Sequence, residues 1–106
     1  MSEDFKTIYK ILSILQKSMD FEIFDINRLS ASNLGITEQR KNAILNMLLK
    51  SGYVEGFQVI QYIGDSTPTI EDLENIKITL KGLEYLEENS LMKKASRLAK
   101  GIAEVL

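Results

Sequence analysis

Apolar residues recur at intervals of three and four along the first twenty positions of the chain, the spacing of one face of an α-helix. The stripe consists of Phe5, Ile8, Tyr9, Leu12, Leu15 and Met19, and Ile11 and Ile14 widen it. The pattern predicts an amphipathic helix from Asp4 to Ser18, with Ser2 or Asp4 as its N-cap. The added apolar width has two interpretations, a core-facing surface or a contact between two copies of the chain.

The next stretch predicts a short strand followed by a short helix. Its first part, FEIFDI at 21–26, is aromatic and β-branched, which favours a strand. The helix is predicted from Arg28 to Leu34, with Asn27 as its cap. Leu29 and Leu34 are expected to face the core.

A tight turn joins this helix to a longer one, predicted from Thr37 to Ser51. Gly35 stands where the chain needs a positive φ, and the Thr37 hydroxyl can cap the first amides of the longer helix. One side of that helix is an apolar arc of Ile44, Leu45, Met47, Leu48 and Leu49. The opposite side carries Gln39, Asn42, Ala43, Asn46 and Lys50. Two helices joined in this way are a helix-turn-helix in sequence form.

Residues 53–79 predict a β-hairpin. A strand in YVEGFQVIQYI follows Gly52, a loop GDSTPTIEDLEN comes next, and Ile76, Ile78 and Leu80 then alternate with Lys77 and Thr79. Thr79 can cap a following helix from Leu80 to Asn89. Gly82, in the first turn, is expected to let that helix lie close against the sheet or the third helix.

The last sixteen residues predict a helical extension. Its apolar stripe is Leu91, Ala95, Leu98, Ile102 and Val105, with small Ala99 and Ala103 beside it. The remaining surface of this predicted helix carries the basic residues Lys93, Lys94, Arg97 and Lys100. An added helix must bury its stripe, either on the rest of its own chain or against a second copy. The second alternative predicts a homodimer through the N- and C-terminal helices.

The order of elements indicates the α+β class, mainly α. We expect one winged helix-turn-helix domain over residues 1–106, with a small antiparallel β-hairpin wing at about 53–79 and a C-terminal helical extension at about 91–106. A chain of 106 residues is long enough for one core and too short for two.

Composition argues against an enzyme. The chain has no cysteine and no histidine, which excludes disulfides, thiol nucleophiles and histidine bases, and its glycines form no phosphate-binding loop. The spacing of Asp and Glu singles out no metal site, so we expect neither a cofactor nor a metal. No apolar run is long enough to span a bilayer, and the N-terminus, MSEDFKTIYK, is acidic where a secretory signal is basic. We therefore expect a cytoplasmic protein without a membrane anchor.

Charge is unevenly distributed along the chain, whose formal net charge is −2. Between Arg28 and Gly52 there are four bases and one acid. The loop from Gly64 to Asn75 instead carries four acids and no base, at Asp65, Glu71, Asp72 and Glu74. Phosphate binding therefore fits the helix-turn-helix better than the hairpin loop.

The outward face of the longer helix suits DNA recognition. Asn and Gln can bond an adenine edge at two points and Arg a guanine edge, which makes base-reading candidates of Gln39, Arg40, Asn42 and Asn46. Thr37 and the adjacent amides can hold a phosphate, and attraction to the DNA backbone is expected from Lys41, Lys50, Lys93, Lys94, Arg97 and Lys100. These residues predict a small DNA-binding regulator of transcription. The alternative is a winged-helix module that binds an unidentified protein partner and no DNA, because the predicted wing is acidic.

Two long segments carry a family resemblance. SNLGITEQRKNAILNMLLKSGYV, at 32–54, and ITLKGLEYLEENSLMKKASRLAKGI, at 78–102, resemble the YjcQ-type family of small winged-helix proteins associated with bacterial prophages. The resemblance implies a winged-helix fold and a Gram-positive or phage setting, and it implies no particular biochemical role. Lys41 departs from helix-turn-helix regulators, which usually have an apolar residue there. Either its stem covers apolar neighbours or the first turn of the helix is less buried than usual.

Overall fold

The structure is a computed structural model that describes residues 2–90 of the chain. Its helices are α1 (Glu3–Ser18), α2 (Ala31–Leu34), α3 (Glu38–Lys50) and α4, described over residues 80–90. Its strands are β1 (Val54–Glu55), β2 (Gln58–Ile60), β3 (Thr69–Glu71) and β4 (Lys77–Ile78). Two 3₁₀ turns lie at Ile26–Leu29 and Leu73–Asn75. The described part is therefore α+β and mainly helical, as predicted, and the extension expected at 91–106 lies outside it.

Helix α1 forms where the apolar spacing predicts it, and the Ser2 hydroxyl caps it by accepting from the amide of Phe5. Its buried side is centred on Ile11 and Leu15, which are 0% and 1% exposed. Ile14 is also buried, so the added apolar width faces the core. The prediction was wrong for the two ends of the stripe, because Phe5 lies at the edge of the buried side and Met19 follows the last helical residue.

Residues 21–26 do not form the predicted strand. They pass through bends into the 3₁₀ turn Ile26–Leu29. The cap of this turn is Asp25, whose carboxylate accepts from the amide of Asn27, and not Asn27 as predicted. Such a local bond draws the backbone away from an extended conformation. The predicted helix 28–34 is split for a similar reason, because the Ser30 hydroxyl caps the separate helix α2.

The turn between α2 and α3 has the predicted chemistry. Gly35 is in the left-handed region at φ 71°, and the amide of Ile36 donates back to the carbonyl of Ala31. The Thr37 hydroxyl then accepts from the amide of Arg40 at 3.1 Å. These local bonds end one helix and begin the next within three residues.

The hairpin is divided into two short antiparallel pairs. At its base β1 pairs with β4, Val54 opposite Ile78, and towards its tip β2 pairs with β3, Val59 opposite Ile70. The strand β3 lies inside the segment that was predicted as loop, which is a correction to the predicted boundaries. The interruption begins at Gly56, the first residue after β1. Its φ is 96°, and a Cβ there would lie 2.1 Å from the carbonyl oxygen of Asn75.

Helix α4 packs closely against the base of the hairpin, as predicted. The Thr79 hydroxyl accepts from the amide of Gly82 at 3.1 Å and donates to the carbonyl of Gly52 at 2.6 Å. A Cβ on Gly82 would lie 2.4 Å from the carbonyl oxygen of Tyr53. One core joins all these elements, and its most deeply buried side chains are Ile11, Leu12, Leu15, Leu29, Ile44, Leu45 and Val54.

Candidate functional site

The outward face of α3 carries the predicted amide side chains. Ile44, Leu45 and Leu48 are at most 2% exposed and fix which side of the helix faces the core. On the opposite side lie exposed Gln39, Ala43 and Lys50 and partly exposed Asn42 and Asn46. None of the three amide side chains forms a hydrogen bond within residues 2–90. Their donors and acceptors are therefore available to a ligand.

Arg40 lies beside this face but already has a partner. Its Nη1 donates to Oδ1 of Asp4 on α1, and the two side chains are 56% and 50% exposed. The pair joins the start of α1 to the start of α3. Because Asp4 is distant in sequence, the helical pattern gave no sign of this contact. The carboxylate thus engages Nη1 of Arg40, while about half of the side chain stays exposed.

Lys41 is largely covered. Its side chain is only 12% exposed, and its Nζ lies 3.3 Å from Oε2 of Glu38, one turn earlier on α3. This low exposure agrees with the interpretation in which the lysine stem lies against the protein. Lys50 is instead exposed and has no ion pair with any described residue, so it is the base of α3 without an acidic partner among them.

A shallow cavity of about 330 Å³ opens along the first three turns of α3. Its walls include Thr37, Gln39, Arg40, Asp4 and Met47. Met47 was predicted to belong to the core arc, but it is 54% exposed. Around the helix axis it lies outside the sector that Ile44, Leu45 and Leu48 bury. The site therefore combines amide groups with an accessible thioether, an apolar contact that the sequence prediction missed.

The hairpin tip is a second exposed surface, which the sequence analysis identified only by its acidity. Ile63 is fully exposed at 105% and Tyr62 is 46% exposed. The Tyr62 hydroxyl donates to Oε1 of Glu71 at 2.6 Å, and this hydrogen bond, together with the negative charge of Glu71, raises the pKa of Tyr62. The tip thus pairs an aromatic and an aliphatic side chain with carboxylates.

The remaining predicted bases, Lys93, Lys94, Arg97 and Lys100, lie outside the described residues. Within residues 2–90 no three acidic side chains are grouped to hold a metal ion. No helix in that range is long and apolar enough to cross a bilayer.

The fold and this surface define a small α+β protein with an amide-bearing helix presented by a tight turn. The chain belongs to the YjcQ family. The model of this family, described as "YjcQ protein", matches residues 9–105. It is similar to the protein of Bacillus subtilis (strain 168) named "Uncharacterized protein YjcQ", with 33% identity over 84 residues. The match covers 78% of this chain and 84% of that protein. No solved structure matches the chain.

Proposed function

We propose that this chain is a winged-helix protein that binds double-stranded DNA with the outward face of α3 in a major groove. Its role is that of a small cytoplasmic regulator of transcription in a prophage or mobile element, and that setting rests on the family resemblance. The observation that carries the proposal is the arrangement of α3. The helix turns its apolar side to the core and leaves the side chains of Gln39, Asn42 and Asn46 unbonded on the other side.

The chemistry of these three residues supports base readout. An amide side chain offers one acceptor and two donors, which match the adenine edge in the major groove. The residues lie at the first, second and third turns of one helix, so their side chains follow one line along it. The Met47 thioether and the Ala43 methyl group on the same surface can contact a thymine methyl group.

Few basic side chains near α3 lack an acidic partner, so we expect a limited electrostatic contribution to DNA affinity. Arg40 and Lys41 both have acidic partners, whereas Lys50 and Arg28 are exposed and have no ion pair with a described residue. Each phosphate neutralised steepens the salt dependence of binding by about 0.9 in the logarithmic slope. We therefore expect a modest slope of about −2 to −4, from these two bases and a share of those beyond residue 90.

Duplex binding by the double variant Asn42→Ala, Asn46→Ala tests base readout. Duplexes retained by the full chain from a random pool supply the probe, and affinity is measured at several salt concentrations. Since each paired amide contact contributes about 1–3 kcal/mol, the variant should bind at least about tenfold more weakly, with an unchanged salt slope. Gln16→Ala, which truncates an exposed amide on α1, is the control and should bind as the unmodified chain does.

Unchanged affinity in the double variant, with the same salt slope, would rule out base readout by α3. If the full chain retained no duplex even at low salt, DNA binding itself would be excluded.

A second candidate function is a protein-interaction module, and the hairpin tip favours it. Exposed Tyr62 and Ile63 lie beside carboxylates that repel DNA and attract a basic protein surface. The duplex measurement separates the two candidates, because a protein-binding module retains no duplex at low salt.

A further inference from the structure

The outward face of α3 consists of two rows of side chains. Residues four positions apart lie above one another along a helix, because each turn takes about 3.6 residues. The first row is exposed and consists of Gln39, Ala43 and Met47. The second row consists of Asn42, Asn46 and Lys50. The first row therefore begins with an amide and ends with two apolar side chains, whereas the second row is polar throughout.

The apolar end of the first row lies within an otherwise polar helix face. Met47 is 54% exposed, and with Ala43 it lines the cavity of about 330 Å³ that Gln39 also lines. Single exposed apolar residues are common on protein surfaces. This methionine, however, directly follows Asn46 on the same outward face. A ligand that spans both rows would therefore contact amide and apolar groups together.

An A·T base pair carries the groups that fit these two rows. In the major groove, adenine presents an acceptor and a donor that suit an amide, and thymine presents a methyl group that suits an apolar side chain. A G·C pair presents no methyl group there. The side chain of α3 that suits guanine is Arg40, and its Nη1 is bound to Asp4, whereas the amides have no hydrogen-bond partner among the described residues. The groups that α3 leaves without a partner therefore match A·T better than G·C.

We propose that α3 selects A·T base pairs, and that Met47 distinguishes thymine from cytosine by contact with the thymine methyl group. This inference rests on the proposed function and names its substrate class, duplex DNA with A·T pairs at the contacted positions. Loss of one buried methyl contact should weaken binding by about fourfold. Because the contact involves no charge, this factor should stay constant as salt is added, whereas the overall affinity falls.

Replacement of thymine by uracil in the bound duplex tests this contact. Uracil pairs with adenine and presents the same oxygen in the major groove, but it lacks the methyl group. The probe is the duplex that the full chain retains most strongly from a random pool, prepared once with thymine and once with uracil. We expect A·T pairs to be enriched in the retained pool. The unmodified chain should bind the thymine duplex at least about fourfold more tightly than the uracil duplex, at every salt concentration.

The variant Met47→Ala tests whether the preference belongs to the thioether. Since Met47 is exposed, its truncation leaves the core intact. The variant should bind the two duplexes with affinities that differ by less than about twofold, because the methyl contact is lost. Met19→Ala is the matched control. Met19 is 63% exposed at the end of α1 and lines a different cavity, so this variant should keep the thymine preference of the unmodified chain.

Several results would overturn the proposal, and they differ in what they leave standing. Retained duplexes rich in G·C, or equal affinity of the unmodified chain for the thymine and uracil duplexes, would exclude A·T recognition and leave DNA binding intact. A thymine preference that persists in Met47→Ala would assign it to the shape of the duplex instead of Met47. Failure of the full chain to retain any duplex at low salt would exclude the proposed function, and this inference with it.

Discussion

Single residues at the ends of the helices determine much of the local structure. Gly35 and Thr37 end α2 and begin α3, and Thr79 and Gly82 fix the start of α4 against the hairpin. The roles of Gly35, Thr37 and Thr79 were predicted from the sequence, because a cap or a left-handed turn depends on residues only a few positions away. Gly82 was expected to allow close packing, but its contact with Tyr53 was not identified. The close backbone contact at Gly56, where an added Cβ would lie 2.1 Å from the carbonyl oxygen of Asn75, could not be predicted. It joins positions that are 19 residues apart in the sequence.

The variant Gly82→Ala tests the close contact at α4. Its Cβ would lie 2.4 Å from the carbonyl oxygen of Tyr53 and 2.6 Å from Cγ1 of Ile78, so either the helix or the strand must shift. We expect the free energy of unfolding to fall by about 1–3 kcal/mol, as for other overpacked sites. Urea denaturation measures this. Ser32→Ala, on the exposed side of α2, is the control and should change the value by less than about 0.5 kcal/mol. Equal stability of the two variants would contradict the contact.

At the scale of the elements, a residue of α1 forms an ion pair with a basic side chain of α3. The ion pair between Asp4 and Arg40 engages a guanidinium beside the outward face of α3 and places a negative charge next to it. Both side chains are about half exposed, so the pair adds little to stability, about 0–1 kcal/mol. We expect the ion pair to have a larger effect on the affinity for duplex DNA under the proposed function.

The variant Asp4→Asn should therefore increase duplex affinity by about two- to fivefold, a change of the size expected for one exposed charge pair. The gain should shrink as salt is added, because the charges are exposed. Glu3→Gln removes the same charge one residue away, where the carboxylate pairs with Lys6 at 3.3 Å, and serves as the control. Should Glu3→Gln raise the affinity by the same amount, Arg40 would have no specific part in DNA binding.

Elements differed in how well the sequence predicted them. The spans of α1 and α3 were correct to within a residue, because helical periodicity repeats along a continuous stretch. The strand expected at 21–26 was wrong, because Asp25 within it caps the 3₁₀ turn that begins at Ile26. The hairpin was predicted, but its division into two pairs depends on contacts across the sheet. The pairing of Arg40 with Asp4 likewise depends on a contact between distant helices, whereas the amide face of α3 follows from helical periodicity alone.

At the scale of the whole molecule, charge and apolar surface are separated. The amide face of α3 has Lys50 as its base without an acidic partner in the described part of the chain, and the hairpin tip combines carboxylates with Tyr62 and Ile63. The sequence beyond residue 90 carries four further bases, which would add to the attraction of DNA under the proposed function.

Backbone amide chemical shifts of the full chain, recorded with and without a retained duplex, test the central claim most directly. DNA recognition by α3 predicts that the largest shifts lie at Gln39, Asn42, Asn46 and Lys50, with smaller ones near Asp4 and Arg40. Shifts confined to the hairpin tip around Tyr62 and Ile63, or an unchanged spectrum at low salt, would contradict it.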